Sequence, residues 1–126
     1  FLDEERLEGD FALISMCNGR YYGGGSTPIP WARMDDGKLH TILINSVSRP
    51  TFARLFRAYS AGKADQMPRL ARISDARVVR IQSPDQDIVT CLDGECFRSR
   101  AVTMSLADKR LNFFGPKGCD PNATAR

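Results

Sequence analysis

"CLDGEC", residues 91–96, sets an Asp-Gly pair between two short strand-like runs. Both central positions of a two-residue type I′ turn need φ > 0, which Asp tolerates and Gly adopts freely, so the pair predicts a β-hairpin. A loop made of Asp93 and Gly94 places Leu92 opposite Glu95 and Cys91 opposite Cys96. The second of these is a non-hydrogen-bonded pair, spaced closely enough for two thiols to oxidise. Read for shape alone, Asp93 is turn chemistry and Glu95 a solvated strand residue.

The same texture extends outward on both sides. Alternating or apolar runs occur at 11–17, 39–44, 78–81, 88–92, 101–106 and 111–114, each rich in Val, Ile, Phe or Thr and bounded by Gly, Pro, Asp or Asn. Their even spacing predicts a mainly β domain of antiparallel hairpins, a sandwich or distorted barrel, and argues against βαβ units. One segment breaks the pattern. In "SRPTFARLFRAYSAGK" (48–63), Phe52, Leu55, Phe56 and Tyr59 recur at helical spacing behind Ser48 as N-cap and Pro50 in the first turn, with Gly62 as the stop. A single amphipathic helix over about 49–61 follows, its aromatic stripe facing the core and Arg54 and Arg57 pointing away. "NGRYYGGGSTPIP" (18–30) is a loop whose glycines 23–25 permit φ > 0 or close backbone approach; it matches neither phosphate-binding glycine pattern. Residues 115–126 have turn formers and no apolar period, so a mobile tail is expected.

At 126 residues, 42% hydrophobic and 26% charged, the chain reads as a single folded domain over 1–126. No apolar run approaches the roughly 18 residues of a membrane span, and "FLDEERLEGD" lacks the pattern of a secretory leader, so a cytoplasmic location is expected. Cys17, Cys91, Cys96 and Cys119 read as reduced thiols, and one C-x4-C pair with a single histidine, His40, does not make a closed zinc site. The net charge of +3 is unevenly spread. Residues 1–10 carry five acids, whereas 48–63 holds Arg49, Arg54, Arg57 and Lys63 with no acid, which suits an anionic surface or a plain solvated helix face.

Taken together, "CNGRYYGGG" (17–25), "MDDGKLHTILI" (34–44) and "CLDGEC" resemble, in order and spacing, the C-terminal domain of bacterial diacylglycerol kinase-like lipid kinases, relatives of sphingosine kinases. The likeness runs from about Phe11 to Phe114. It implies a two-domain enzyme whose N-terminal α/β domain binds ATP through a "GGDGT"-like loop that this chain does not contain, so the chain alone is expected to be inactive. It also implies that Glu95 is the general base for a lipid hydroxyl. Asp93 then forms the turn, orients Glu95, or joins a magnesium and water network, turn formation ranking first. A Mg2+ held by the Asp36 carboxylate and the main-chain carbonyls of Arg33 and Lys38 is implied, against an Asp-Gly turn without metal. His40 by itself reads as structural. The loop residues Asn18, Tyr21, Gly23 and Gly24 are implied to bind substrate, with Asn18 and Gly19 as a turn and Tyr21 and Tyr22 at a lipid entrance.

The function expected is thus the lipid-side domain of an ATP-dependent kinase, peripheral at an anionic membrane and partnered by the N-terminal domain. The alternative is a non-catalytic sandwich that binds lipid or protein. Nucleic acid is not expected as a partner, because the basic residues are not interleaved with an exposed aromatic array. Homodimerisation is left open.

Overall fold

The computed structural model describes residues 1–109, 111–112 and 114–120. Seven strands and one α-helix occur in the order β1 (Phe11–Cys17), β2 (Leu39–Asn45), α1 (Arg49–Ser60), β3 (Ala71–Ala76), β4 (Val78–Gln82), β5 (Ile88–Leu92), β6 (Glu95–Ser99) and β7 (Ala101–Ser105), with a 3₁₀ turn at Ala64–Gln66. All strand pairing is antiparallel, in three sheets: β1-β2-β3, β4-β7 and β5-β6. Among the described residues the sheets do not close into a barrel; the architecture is sandwich-like.

β2 explains the layering. Its sequence LHTILIN is buried from Leu39 to Ile44 without alternation, the pattern of a strand covered on both faces. On one face Ile42 and Ile44 join Leu55 and Tyr59 of α1 with Ile29, Ala32 and Cys17. On the other, Leu39 and Leu43 join Val79 of β4, Ala76 and Leu2. The layers are therefore helix, three-stranded sheet, two-stranded sheet. The N-terminal segment lines the β4 edge: Asp3 Oδ1 accepts hydrogen bonds from the backbone N–H of Arg77 (2.9 Å) and Val78 (2.8 Å), and Leu2 pairs with Val79.

α1 spans the expected segment. Ser48 stands at the N-cap in extended conformation with Pro50 in the first turn, but its hydroxyl caps no backbone N–H and lies 2.9 Å from Thr51 Oγ1 instead. At the other end the Gly62 N–H donates to Tyr59 O (3.0 Å) and the Lys63 N–H to Ala58 O (2.8 Å), a Schellman closure with Gly62 at φ 69°. Leu55 and Tyr59 are buried as expected and Phe52 is half-buried, but Phe56 is 44% exposed. It stacks between Phe52 and Tyr59 along the helix flank instead of entering the core.

Two expectations fail. Leu111, Asn112 and Phe114 belong to no strand, while Phe113 lies outside the described residues; Leu111 and Phe114 are almost wholly exposed, and with no partner edge the backbone turns to solvent. Conversely β3, "ARISDA", is a strand that its polar composition conceals, since only Ala71 and Ala76 at its ends are fully buried. Of the tail, 121–126 lies outside the described residues, and 115–120 holds a turn closed by the Cys119 N–H on Pro116 O. No helix among the described residues is long and apolar enough to cross a membrane.

Candidate active site

The turn after β5 forms as its Asp-Gly pair demands: Asp93 at φ 48° and Gly94 at φ 95° are both left-handed. The register is the expected one, Leu92 opposite Glu95 and Cys91 opposite Cys96. Because side chains alternate across a strand pair, Glu95 shares a face with Leu92, Thr90 and Phe97, while Cys91, Cys96, Val89 and Arg98 occupy the other. Glu95 is exposed, and so are its neighbours Leu92 (51%) and Phe97 (46%). The corner therefore offers a carboxylate that accepts a proton or hydrogen bond, set on an apolar strip open to a ligand with hydrocarbon character. Asp93 occupies the turn position that its short polar side chain suits.

A second cluster brings the other two motifs together. β1 ends at Cys17, which pairs with His40 near the start of β2. Just beyond, Gly19 lies so near Met34 that a Cβ would stand 3.2 Å from its Cγ. Neither Asn18 nor Gly19 has φ > 0, so the Asn-Gly pair is a bend and not a type I′ turn. Gly23, Gly24 and Gly25 all have φ > 0 in a turn closed by pairing of Tyr22 with Ser26, and a Cβ on any of them would meet nothing within 4 Å. The glycines thus serve conformation, not close packing. Tyr21 and Tyr22 are half exposed beside them. Past this turn the loop dives into the core at Pro28 and Ile29.

Around Asp36 the polar groups interlock. Asp36 Oδ1 accepts from the Lys38 backbone N–H at 3.0 Å, and Oδ2 lies 2.9 Å from His40 Nε2. His40 is buried, 3% exposed, and its Nδ1 lies 2.7 Å from Asp75 Oδ1 on β3. Lys38 Nζ donates to Asp75 Oδ2 at 3.0 Å. Burial alone raises the pKa of Asp75, but the hydrogen bonds from Lys38 and His40 outweigh it and hold the carboxyl below its ordinary value. The Arg33 guanidinium is occupied by Asp35 in a two-pronged pair (3.0 and 3.1 Å). His40 is thus a structural clamp fastening the Asp36 turn to β3.

Among the described residues no group of three or more His, Cys, Asp or Glu side chains is arranged to hold a metal ion. The implied set is of another kind, one carboxylate with two carbonyls. Among the described residues each Asp36 oxygen is engaged once and keeps a lone pair; the Asp36 side chain is 22% exposed, and Arg33 and Lys38 are solvent-exposed. That donor chemistry fits Mg2+, which keeps several waters and takes few protein ligands.

Two groups escape a reading of the sequence. Asp75 lies in the concealed strand and meets His40 only through the β2-β3 register. Arg20, just past Asn18 and Gly19, has Nε and Nη1 shielded from solvent with no acceptor among the described residues. Glu95 and Asp93 sit in the β5-β6 sheet, Asn18 and Asp36 at the end of β1-β2-β3, so the hairpin and the clamp are separate structural units.

Residues 1–115 match the family described as the YegS C-terminal NAD kinase beta sandwich-like domain. Proteins named "Probable lipid kinase YegS-like" are similar: one from Xanthomonas oryzae pv. oryzae (strain MAFF 311018), 30% identical over 112 residues; one from Stenotrophomonas maltophilia, 29% identical; and one from Xanthomonas euvesicatoria pv. vesicatoria, 32% identical over 113 residues. Each alignment covers 89% of this chain and 36% of the relative, so the chain spans about a third of their length.

Proposed function

From the premise that the chain belongs to the YegS C-terminal NAD kinase beta sandwich-like domain family, we propose that it is the lipid-side domain of an ATP-dependent lipid kinase in which Glu95 is the general base. The observation that carries this is the exposed Glu95 carboxylate on the apolar strip of Leu92 and Phe97, at the tip of a tight hairpin. In the transfer, the oxygen of a diacylglycerol-like lipid alcohol attacks the γ-phosphorus of ATP, the bond to the β-γ bridging oxygen breaks, and the hydroxyl proton passes to Glu95. Leu92 and Phe97 lie under the substrate's hydrocarbon, and Asp93 keeps the corner stiff through its turn conformation. ATP is held by an N-terminal α/β domain, which pairs with this one across a cleft. Asn18, Tyr21, Gly23 and Gly24 form the substrate-facing loop.

Mg2+ belongs at the Asp36 turn, on that carboxylate and the carbonyls of Arg33 and Lys38; when bound, it supplies a structural cross-link of the turn. Titration with Mg2+ raises the thermal midpoint of the protein, and Asp36→Asn removes that rise. An equal rise in the variant sinks the assignment.

The experiment for the base joins this domain to the nucleotide-binding part of a relative and follows phosphate incorporation into diacylglycerol. Glu95→Gln lowers turnover by about 10²- to 10⁴-fold with vesicle binding retained. Near-native turnover in that variant rejects Glu95 as base. A joined protein that binds vesicles and transfers no phosphate favours a non-catalytic lipid-binding module, to which the same apolar strip is suited.

A further inference from the structure

We propose that Cys91 and Cys96 form a redox-active dithiol that closes into a cross-strand disulfide by exchange with a small-molecule disulfide such as oxidised glutathione. The two residues are directly opposed across β5-β6, one pair in from the turn. With Leu92 and Glu95 flanking a two-residue loop as the hydrogen-bonded pair, Cys91 and Cys96 are the non-hydrogen-bonded pair, in which Cα atoms approach most closely and Cβ atoms point to the same side. Both are free and exposed, unlike the buried Cys17. Their side chains share one face of the ribbon, and interaction with Cys91 is the leading reason that the Cys96 thiol holds its proton above the usual range. They lie on the hairpin face opposite Glu95, and the inference stands whether or not Glu95 is a base.

The electron and proton count is simple. One thiolate attacks glutathione disulfide, forming a protein–glutathione disulfide and expelling one glutathione thiolate. The second cysteine, after losing its proton, attacks the protein sulfur of that adduct and expels the other. Two electrons pass to glutathione, and the two thiol protons end on two glutathione molecules. The thiolate is the attacking species, so closure accelerates as pH rises. The hairpin forms its own two-stranded sheet. Such a ribbon is only marginally stable alone and twists readily, so it accommodates the bond and gains rigidity from it.

The test incubates the full chain with mixtures of reduced and oxidised glutathione, then alkylates free thiols and maps peptides without reduction. The expected result is one intramolecular 91–96 linkage, with the two thiols lost together, no linkage of either to Cys17 or Cys119, and full reversal by excess reductant. Cys91→Ser is expected to leave Cys96 as a persistent glutathione adduct in a chain whose circular dichroism is unchanged. Linkage to Cys119 or between chains, or separate glutathione adducts on Cys91 and Cys96 in the unaltered protein, overturns the dithiol. Amide exchange over 88–99 slows on closure, and unchanged exchange overturns the gain in rigidity.

Discussion

Gly62 shows how much one residue can hold. It ends α1 in the left-handed region, and a Cβ there would stand 2.4 Å from Pro30 Cγ and 2.7 Å from the carbonyl oxygen of Thr27. Backbone strain and overlap act together, and the Thr27 carbonyl cannot retreat as a flexible side chain would. Gly62→Ala therefore destabilises by about 3 kcal/mol, read from the urea midpoint at constant slope. Gly24→Ala is the control: φ is also positive, at 73°, but nothing lies within 4 Å, so its cost is about 1 kcal/mol. Equal losses at the two positions would refute the packing argument. Tyr59 makes a different residue-scale case. Its ring is 1% exposed and its hydroxyl lies 2.9 Å from Ser15 Oγ. Burial raises Tyr59 above its ordinary 10.0, and burial likewise raises Cys17 above 9.0. Both groups ionise more easily in the unfolded chain, so their contribution is complete below those ordinary values and is lost as pH climbs toward the folded ones. Urea midpoints thus fall on alkaline titration, and Tyr59→Phe, which cannot ionise, flattens the fall at a cost of about 1 kcal/mol for the lost hydroxyl contact. An unchanged slope in Tyr59→Phe excludes Tyr59 from the alkaline loss.

At the level of elements, legibility in the sequence followed the locality of the physics. The type I′ turn at Asp93 and Gly94, the register it imposes, and the Gly62 stop of α1 are set by neighbours in the chain, and all three form as the residues imply. β2 was legible as apolar, but its burial on both faces depends on layers that arrive from distant segments. β3 was not legible. Arg72, Ser74 and Asp75 give it no apolar alternation, and it is a strand because β2 offers an edge with matching register. The same cause hid half of the Asp36 cluster: His40 was visible, whereas Asp75 becomes its partner only through that pairing. The run at 111–114 is the converse: Leu111 and Phe114, apolar residues in a strand-like run, join no strand among the described residues. Phe56 shows that helical spacing fixes a side, not a depth; the stripe is wider than the groove that receives it, and Phe56 remains at the rim.

For the molecule as a whole, the layer order leaves the outer side of α1 uncovered, and we propose that this side is the one that would meet an anionic membrane. The three-stranded sheet is covered by β4-β7 on one face and by α1 on the other, so the outer side of α1 is the exposed side of that layer. Arg49, Arg54 and Arg57 on α1 and Lys63 just past its end are all exposed and take part in none of the ion pairs among the described residues, so their charge is not spent internally. Phe56 is 44% exposed on the helix flank, and in this proposal it would insert shallowly beside the head groups. Each basic residue near an anionic leaflet contributes about 1 kcal/mol, which gives docking and not anchoring. Sedimentation with phosphatidylcholine vesicles is therefore weak, rises when phosphatidylserine is included, and falls as salt shortens the screening length. Reversing two charges, Arg54→Glu with Arg57→Glu, lowers the partition by more than about tenfold, since each reversal removes one attraction and adds one repulsion. Phe56→Ala weakens binding at every salt concentration, because its contribution is apolar and unscreened. Binding that ignores both phosphatidylserine and salt, or that survives the double reversal, places the docking surface elsewhere on the domain.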